Sequence, residues 1–250
     1  MDGFDSIEEK TNYNGYYADV NGDGVVDGVI FADLAIGGSG EWNPGNNSWA
    51  ASSHSGVYSY SAIPSSELKS YAILQDNYSG KFGDKPVLKA ISSSGKDRFY
   101  VMALENIDSN EYVWYNAAYS NKMDDYTSTT SVNFGAGKTN TATMINKWNN
   151  KAYGEQNTNP YYKDMWGKIT NNGWFVLSAK EWAAFGGNLG ITQANYASLG
   201  LSEHYLSSSQ FSLSSAQRSS WSAWCVGEAN GFVGSIDVLF SSYVRLATTF

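Results

Sequence analysis

The sequence has very few cysteines, prolines and charged residues, and each shortage excludes a class of structure. Cys225 is the only cysteine among 250 residues, so the chain can form no internal disulfide and no metal site made of several thiolates. The four prolines form no cluster, and no proline-rich or charged stretch marks a linker between domains. No apolar run approaches the roughly 20 residues that a membrane-spanning helix needs, so we expect no membrane insertion.

Charge is scarce and mainly negative. Charged residues make up 16% of the chain, and the net charge is −8. Because no cluster of Lys and Arg is present to contact a phosphate backbone, we expect no nucleic-acid partner. The surface must consist largely of Ser, Asn, Gly, Thr and Tyr, a composition typical of extracellular, cell-surface and virion proteins. Residues 1–15 lack the basic and apolar regions of a signal peptide, so we expect any export signal to lie outside this sequence.

The patterns that are present predict one domain that mixes strands and helices. Residues 1–14 are polar and acidic and predict a flexible terminus, whereas residues 15–250 predict a single domain. Apolar runs predict buried strands over Arg98–Leu104 and Tyr112–Tyr115. The fold class that follows is α+β.

Two segments predict helices. The first covers Thr143–Lys151, with Asn140 or Thr141 as its N-cap. The second begins at Ser178, which has Glu181 three residues later and therefore predicts a capping box.

The sharpest local pattern is the acidic, glycine-rich segment DVNGDGVVD at residues 19–27. Its oxygen-bearing residues alternate along a tight turn, as they do in the first part of a calcium-binding loop. The predicted calcium ligands are Asp19, Asn21, Asp23, the backbone carbonyl of Val25, and Asp27. An EF-hand would have Glu where this chain has Ile30, and the chain continues as a strand, so the segment is no EF-hand; Asp33 is a candidate for a more distant ligand. The alternative is an Asx-rich turn that binds no metal.

Motifs that would indicate catalysis are incomplete. The segment GAGKT at residues 135–139 is similar to the end of a phosphate-binding loop, but Val132 stands where that loop needs a glycine. No Gly-x-Ser-x-Gly motif occurs, and His54 and His204 have no evident partner in the sequence. We therefore expect a protein that is not an enzyme.

One helix segment and the closing pattern of the chain carry a family resemblance. Asn171–Phe185 (NNGWFVLSAKEWAAF) resembles a helix signature of the formylglycine-generating-enzyme-like branch of the C-type-lectin fold, with Leu177 where many relatives have Pro. Residues 205–210, 222–224 and 243–250 are similar to the tail of that branch's bacterial and phage binding modules, in particular the variable proteins of diversity-generating retroelements. The resemblance implies a C-type-lectin fold with short twisted strands, two helices and much irregular structure. Because enzymes of this branch use a pair of cysteines, it implies a binding module without catalysis.

The resemblance places a variable binding face for a protein or glycan between Gln210 and Tyr243. Apolar and aromatic residues are scattered there among Ser and Gly without a regular period, as in a paratope. The predicted ligand-binding residues are Phe211, Leu213, Gln217, Arg218, Trp221, Cys225, Glu228, Phe232, Asp237, Leu239 and Phe240. Trp224, Arg245 and Phe250 are predicted to belong to the scaffold. The alternative is that the apolar members of the set form the core of a loop-rich β region.

Two other functions stay open. The chain has nine Trp and eighteen Tyr, which could stack on sugars in a carbohydrate-binding or glycan-active secreted bacterial protein. A third interpretation is a structural adhesin domain without a discrete site.

Overall fold

The computed structural model describes residues 5–42, 56–115, 129–155, 163–210, 222–227, 232–238 and 240–250. The described residues form two α-helices and twelve strands that pair in both parallel and antiparallel fashion, so the α+β prediction is confirmed. In chain order the strands are β1 (Tyr17–Asp19), β2 (Gly28–Asp33), β3 (Gly38–Glu41), β4 (Val57–Tyr60), β5 (Tyr71–Gly80), β6 (Gly83–Ala90), β7 (Phe99–Ala103), β8 (Phe175–Val176), β9 (His204–Gln210), β10 (Ser222–Gly227), β11 (Phe232–Asp237) and β12 (Leu246–Thr249). The helices are α1 (Gly137–Asn149) and α2 (Ala179–Asn188).

A seven-stranded sheet forms the centre of the domain. Its strand order is β5-β6-β1-β2-β7-β12-β8, and β1 pairs with β6 in parallel while the other pairs are antiparallel. The central strand β2 is buried along its whole length, which explains why its sequence reads as a continuous apolar run. Two smaller sheets complete the fold, one with the order β11-β10-β9 and the other made of β3 and β4.

The two strands predicted from apolar runs have different outcomes. The run Arg98–Leu104 forms β7, as predicted. All four residues of Tyr112–Tyr115 are buried, but Tyr112 and Val113 form only isolated bridges with other segments, and the Trp114 N–H donates a single bond to the Val238 carbonyl. The apolar run therefore predicted the burial of this segment correctly and its strand pairing only in part.

Helix α1 begins six residues before its predicted start. Asn140 and Thr141 do not cap it; both lie inside the helix with buried side chains, so that prediction was wrong. The Asn140 amide bonds to the backbone of Ser131, and the Thr141 hydroxyl bonds to the backbone of Val176. The polar side chains that suggested a cap instead join the helix to its neighbours.

Helix α2 begins as predicted. The Ser178 hydroxyl accepts from the Glu181 backbone N–H, and the Glu181 carboxylate accepts from the Ser178 backbone N–H. Gly186 lies near the end of this helix. A side chain is excluded at this position, because a Cβ there would come within 2.1 Å of the Trp42 ring. That glycine therefore allows a close contact with the core, at some cost in helix propensity.

Residues 5–14 are bonded to the domain, although the sequence predicts a flexible terminus there. Ile7 donates its backbone N–H to the Tyr71 carbonyl at the edge of the main sheet. The Arg98 guanidinium donates to the backbone carbonyls of Glu8, Glu9 and Thr11. This segment covers the start of an edge strand, β5, whose backbone groups would otherwise be open.

Among the described residues, no helix has both the length and the apolar character that crossing a membrane requires.

Candidate binding face

The described residues of the segment predicted to form the binding face belong mainly to the C-terminal sheet of β9, β10 and β11. Both pairs of strands are antiparallel, and at one end of the sheet Ala223 lies opposite Gln210 while Ser222 lies opposite Asp237. At the other end Gly227 lies between His204 and Phe232. The six residues of β10 separate the two ends by roughly 17 Å.

The predicted ligand-binding residues belong to both ends of this sheet. Members that lie outside the described residues are Phe211, Leu213, Gln217, Arg218, Trp221, Glu228 and Leu239. The segment 211–221 joins Gln210 to Ser222 at one end, where Asp237 also lies. Glu228 follows Gly227 in the chain, and Phe232 opens β11 at the opposite end. The strand register therefore places Asp237 and Phe232, two members of the predicted set, at opposite ends of the sheet, with Cys225 between them on β10.

Cys225 and Phe240 differ in their access to solvent. Cys225 is 6% exposed, and burial raises the pKa of its thiol to about 12, so the thiol stays neutral at physiological pH. Phe240 is 51% exposed and its ring meets the His204 ring edge-on at 5.9 Å between centroids. Ala223 and Val226 are also buried, and they belong to two different core clusters, so the core packs against both faces of β10. Of these two predicted residues, Phe240 is the one that solvent reaches.

Two of the residues predicted to form the scaffold are buried, as expected. Arg245 is 1% exposed and Phe250 is 3% exposed. The Arg245 guanidinium donates to the Asn106 side chain at 3.0 Å and to the Gly200 carbonyl at 2.9 Å, and it lies over the Tyr205 ring. Arg245 therefore joins the closing segment of the chain to β9, to the loop after β7 and to the loop before β9.

The end of β9 is fixed by a row of buried serines that the sequence analysis did not single out. Ser207, Ser208 and Ser209 are each 0% exposed. The Ser208 hydroxyl accepts from the Asn140 amide, and the Ser209 hydroxyl accepts from the Ala179 backbone N–H. The available signal was the three consecutive small polar residues themselves, between Leu206 and Gln210, which do not alternate with apolar residues as a half-buried strand would.

The GAGKT segment meets a carboxylate of this protein at its glycine turn. The Gly135 and Gly137 backbone N–H groups both donate to the Glu181 Oε1, at 3.0 and 3.2 Å. A Cβ at Gly137 would lie 2.2 Å from the Glu181 Oε2, which accounts for the glycine there. Two of the backbone donors that a bound phosphate would use are therefore already bonded to Glu181.

Comparison with protein-family models, with curated proteins and with solved structures finds no match.

The candidate calcium loop closes through its own hydrogen bonds. The Asp19 carboxylate is buried and accepts from the backbone N–H groups of Gly22, Asp23 and Gly24. The Asp27 carboxylate accepts from the Val20 N–H, so acidic side chains at both ends of the loop turn inward. A calcium loop and an Asx-rich turn share these bonds. In the described part of the chain no cluster of three or more His, Cys, Asp or Glu side chains has the geometry to hold a metal ion.

Asp33 is not available as the distant calcium ligand that the sequence suggested. It ends β2, whereas Asp27 precedes the start of that strand, so the two carboxylates lie at opposite ends of a six-residue strand. Asp33 instead forms a buried bidentate ion pair with Arg98, with N–O distances of 2.8 and 2.9 Å. The negative charge of Asp33 is therefore neutralised by Arg98 inside the core.

Proposed function

We propose that this protein is a non-catalytic binding module of the C-type-lectin fold, related to the variable proteins of diversity-generating retroelements. It displays a C-terminal face to a protein or glycan outside the cell, on a cell surface or on a virion. The observation that carries the proposal is the fixed end of β9, where buried serines bond to both helices immediately before the segment 211–221. A rigid anchor immediately before a segment whose sequence mixes aromatic and small polar residues favours this proposal, because pre-organisation of binding loops reduces the entropic cost of binding.

Scaffold and binding face should differ in their tolerance of substitution. Replacing Arg218, Trp221, Glu228 and Asp237 together with Ser should leave the melting temperature close to that of the parent, because surface changes typically cost within about ±0.5 kcal/mol each. The matched control, Arg245→Ser, removes a buried guanidinium with its hydrogen bonds and should destabilise the fold strongly. Thermal and urea unfolding of both variants measures the difference.

The same variants test binding. A ligand selected from a glycan array or a panel of surface proteins should bind the quadruple variant more weakly by about 2 kcal/mol or more, because aromatic and Arg anchors dominate interfaces. Equal intolerance at the four positions and at Arg245 would show that residues 211–241 are structural. A template repeat rich in adenine beside a reverse-transcriptase gene would independently support the retroelement relationship.

A cleft at the β5–β6 hairpin favours a second candidate, a carbohydrate-binding protein. The cleft has a volume of about 430 Å³ and is lined in part by Tyr78, Phe82 and Leu104, with the Lys81–Glu105 ion pair beside them. Aromatic rings next to polar groups are the pattern that sugar binding uses, because a ring face can stack on a sugar. Tyr78→Ala should then abolish binding on a glycan array, while Tyr16→Ala, outside the cleft, and the quadruple Ser variant should retain it. Retention by Tyr78→Ala would eliminate this candidate.

A further inference from the structure

The cleft at the β5–β6 hairpin has aromatic walls that the core holds in place. The Tyr78 ring packs edge-on against the buried Tyr17 ring, with 4.7 Å between the centroids. The Tyr17 hydroxyl accepts from the Phe82 N–H at 3.1 Å and donates to the Gly83 carbonyl at 2.9 Å. The Phe82 ring also meets the Phe185 ring of α2, with 5.9 Å between the centroids. Both walls are therefore fixed by contacts within the protein, which lowers the entropic cost of binding a ligand between them.

A pair of opposite charges lies at the same cleft. The Lys81 ammonium and the Glu105 carboxylate are 3.2 Å apart, and both side chains are exposed. The end of the Lys81 side chain lies against Gly200, where a Cβ would come within 2.6 to 2.9 Å of its last three atoms. The residue after Glu105, Asn106, accepts from the buried Arg245 guanidinium. Contacts with the scaffold therefore hold both charges at the cleft while water still reaches them.

An ion pair this exposed can exchange partners at little cost, because water competes for both of its charges. A ligand with a single charge would take one member of the pair and leave the other without its partner. A ligand with both charges can give a carboxylate to Lys81 and an ammonium to Glu105, so that each charge keeps a partner. Because the pair is 3.2 Å apart, the two charges of such a ligand must also lie close together.

Two further charges near the cleft have opposite signs. The buried Arg245 guanidinium feels the charge of Glu105, and Asp84, at the start of β6, acts on the Tyr17 hydroxyl. Together with Lys81 these residues have no net charge. The cleft therefore gives no electrostatic preference to a purely acidic or a purely basic ligand.

We propose that this cleft binds a zwitterionic sugar, which has a free amine and a carboxylate on neighbouring positions of its ring. The sugar ring stacks on Tyr78, the carboxylate pairs with Lys81, and the ammonium pairs with Glu105. The inference rests on the carbohydrate-binding function proposed for this cleft, and it adds the charges of the ligand.

Four related compounds separate the contributions of the two charges. Muramic acid has both an amine and a carboxylate, N-acetylmuramic acid lacks the charged amine, glucosamine lacks the carboxylate, and glucose lacks both. NMR titration of the whole chain at about pH 6, where the amine is protonated and the carboxylate ionised, follows the amides of Lys81, Phe82 and Glu105. Muramic acid should bind most tightly. Loss of either charge should raise Kd by up to about fivefold, the size that an exposed ion pair supports.

Matched variants assign each charge to its partner. Lys81→Met should abolish the preference for muramic acid over glucosamine, and Glu105→Gln should abolish the preference over N-acetylmuramic acid. Lys96→Met and Glu67→Gln, at another exposed ion pair, should keep both preferences. Equal Kd values for the four compounds in the parent, or preferences that survive in Lys81→Met and Glu105→Gln, would overturn the proposal.

Further outcomes separate this proposal from the carbohydrate-binding function itself. If glucose binds as tightly as muramic acid and Tyr78→Ala abolishes both, the cleft is a site for neutral sugars, and only the zwitterion proposal fails. If none of the four compounds shifts the amides of the cleft, the carbohydrate-binding function fails as well. Phenylalanine is a zwitterion without a sugar ring, and binding as tight as that of muramic acid would overturn the assignment to a sugar.

Discussion

At the scale of single residues, the Asp33–Arg98 pair is the strongest case of a buried charge with its partner in place. The side chains are 1% and 5% exposed, and Arg98 also bonds to three carbonyls of residues 5–14. The Tyr13 N–H donates to Asp33 as well. One pair of residues 65 positions apart therefore joins the N-terminal segment, β2 and the start of β7.

Asp33→Asn should lower the free energy of unfolding by about 3–5 kcal/mol, because it leaves a buried guanidinium without its counter-charge. Glu105→Gln is the matched control, since it breaks an ion pair with Lys81 whose side chains are 73% and 48% exposed. That change should cost less than about 1 kcal/mol. Urea denaturation of both variants at one pH measures the contrast, and costs of similar size would refute the role given to burial.

At the scale of elements, the loop at residues 19–27 connects β1 to β2, the centre of the main sheet. The Asp19 and Asp27 carboxylates hold its backbone through hydrogen bonds. Asp23 is exposed, and its carboxylate accepts from the Val25 N–H and the Asn21 amide. A calcium ion bound here would add to these hydrogen bonds, so we expect it to raise the stability of the loop.

If this loop binds calcium, a chelator should lower the melting temperature. Ligand at 100 times its Kd stabilises by about 2.7 kcal/mol, which corresponds to roughly 5–10 °C for a chain of this size. Asp23→Ala should abolish that sensitivity, whereas Asp84→Ala, an exposed acid at the β5–β6 turn, should retain it. Calorimetry with and without chelator provides the comparison. An unchanged curve for protein shown to contain calcium at the start would leave the Asx-rich turn as the correct interpretation.

At the scale of the whole molecule, the sequence predicted local features well and distant partnerships poorly. The capping box at Ser178 and Glu181 was predictable because its residues are three apart and act within one helix turn. The second role of Glu181, at Gly135 and Gly137, depends on how the chain brings together residues 44 and 46 positions apart, which no local pattern encodes.

The candidate site shows the same limit. Irregular aromatic residues near the C-terminus marked a region, but only the strand register shows that Asp237 and Phe232 lie at opposite ends of β11. Burial of Cys225 depends on packing against both faces of β10, which composition cannot reveal. The early start of α1 could not be predicted locally, because the Gly137 N–H at its first residue donates to Glu181, 44 positions later. Asn140 and Thr141, which resemble caps, contact other segments instead.

The position of β12 has a consequence for the synthesis of this protein. β12 lies between β7 and β8, and β8 is connected to the main sheet only through it. On the ribosome the chain emerges from its N-terminus, so every other strand of that sheet is already outside before β12 leaves the exit tunnel. Throughout that interval the β7 edge has no partner, and open apolar edges recruit other chains. A nascent chain at this stage therefore needs a holding chaperone until β12 appears and covers the β7 edge.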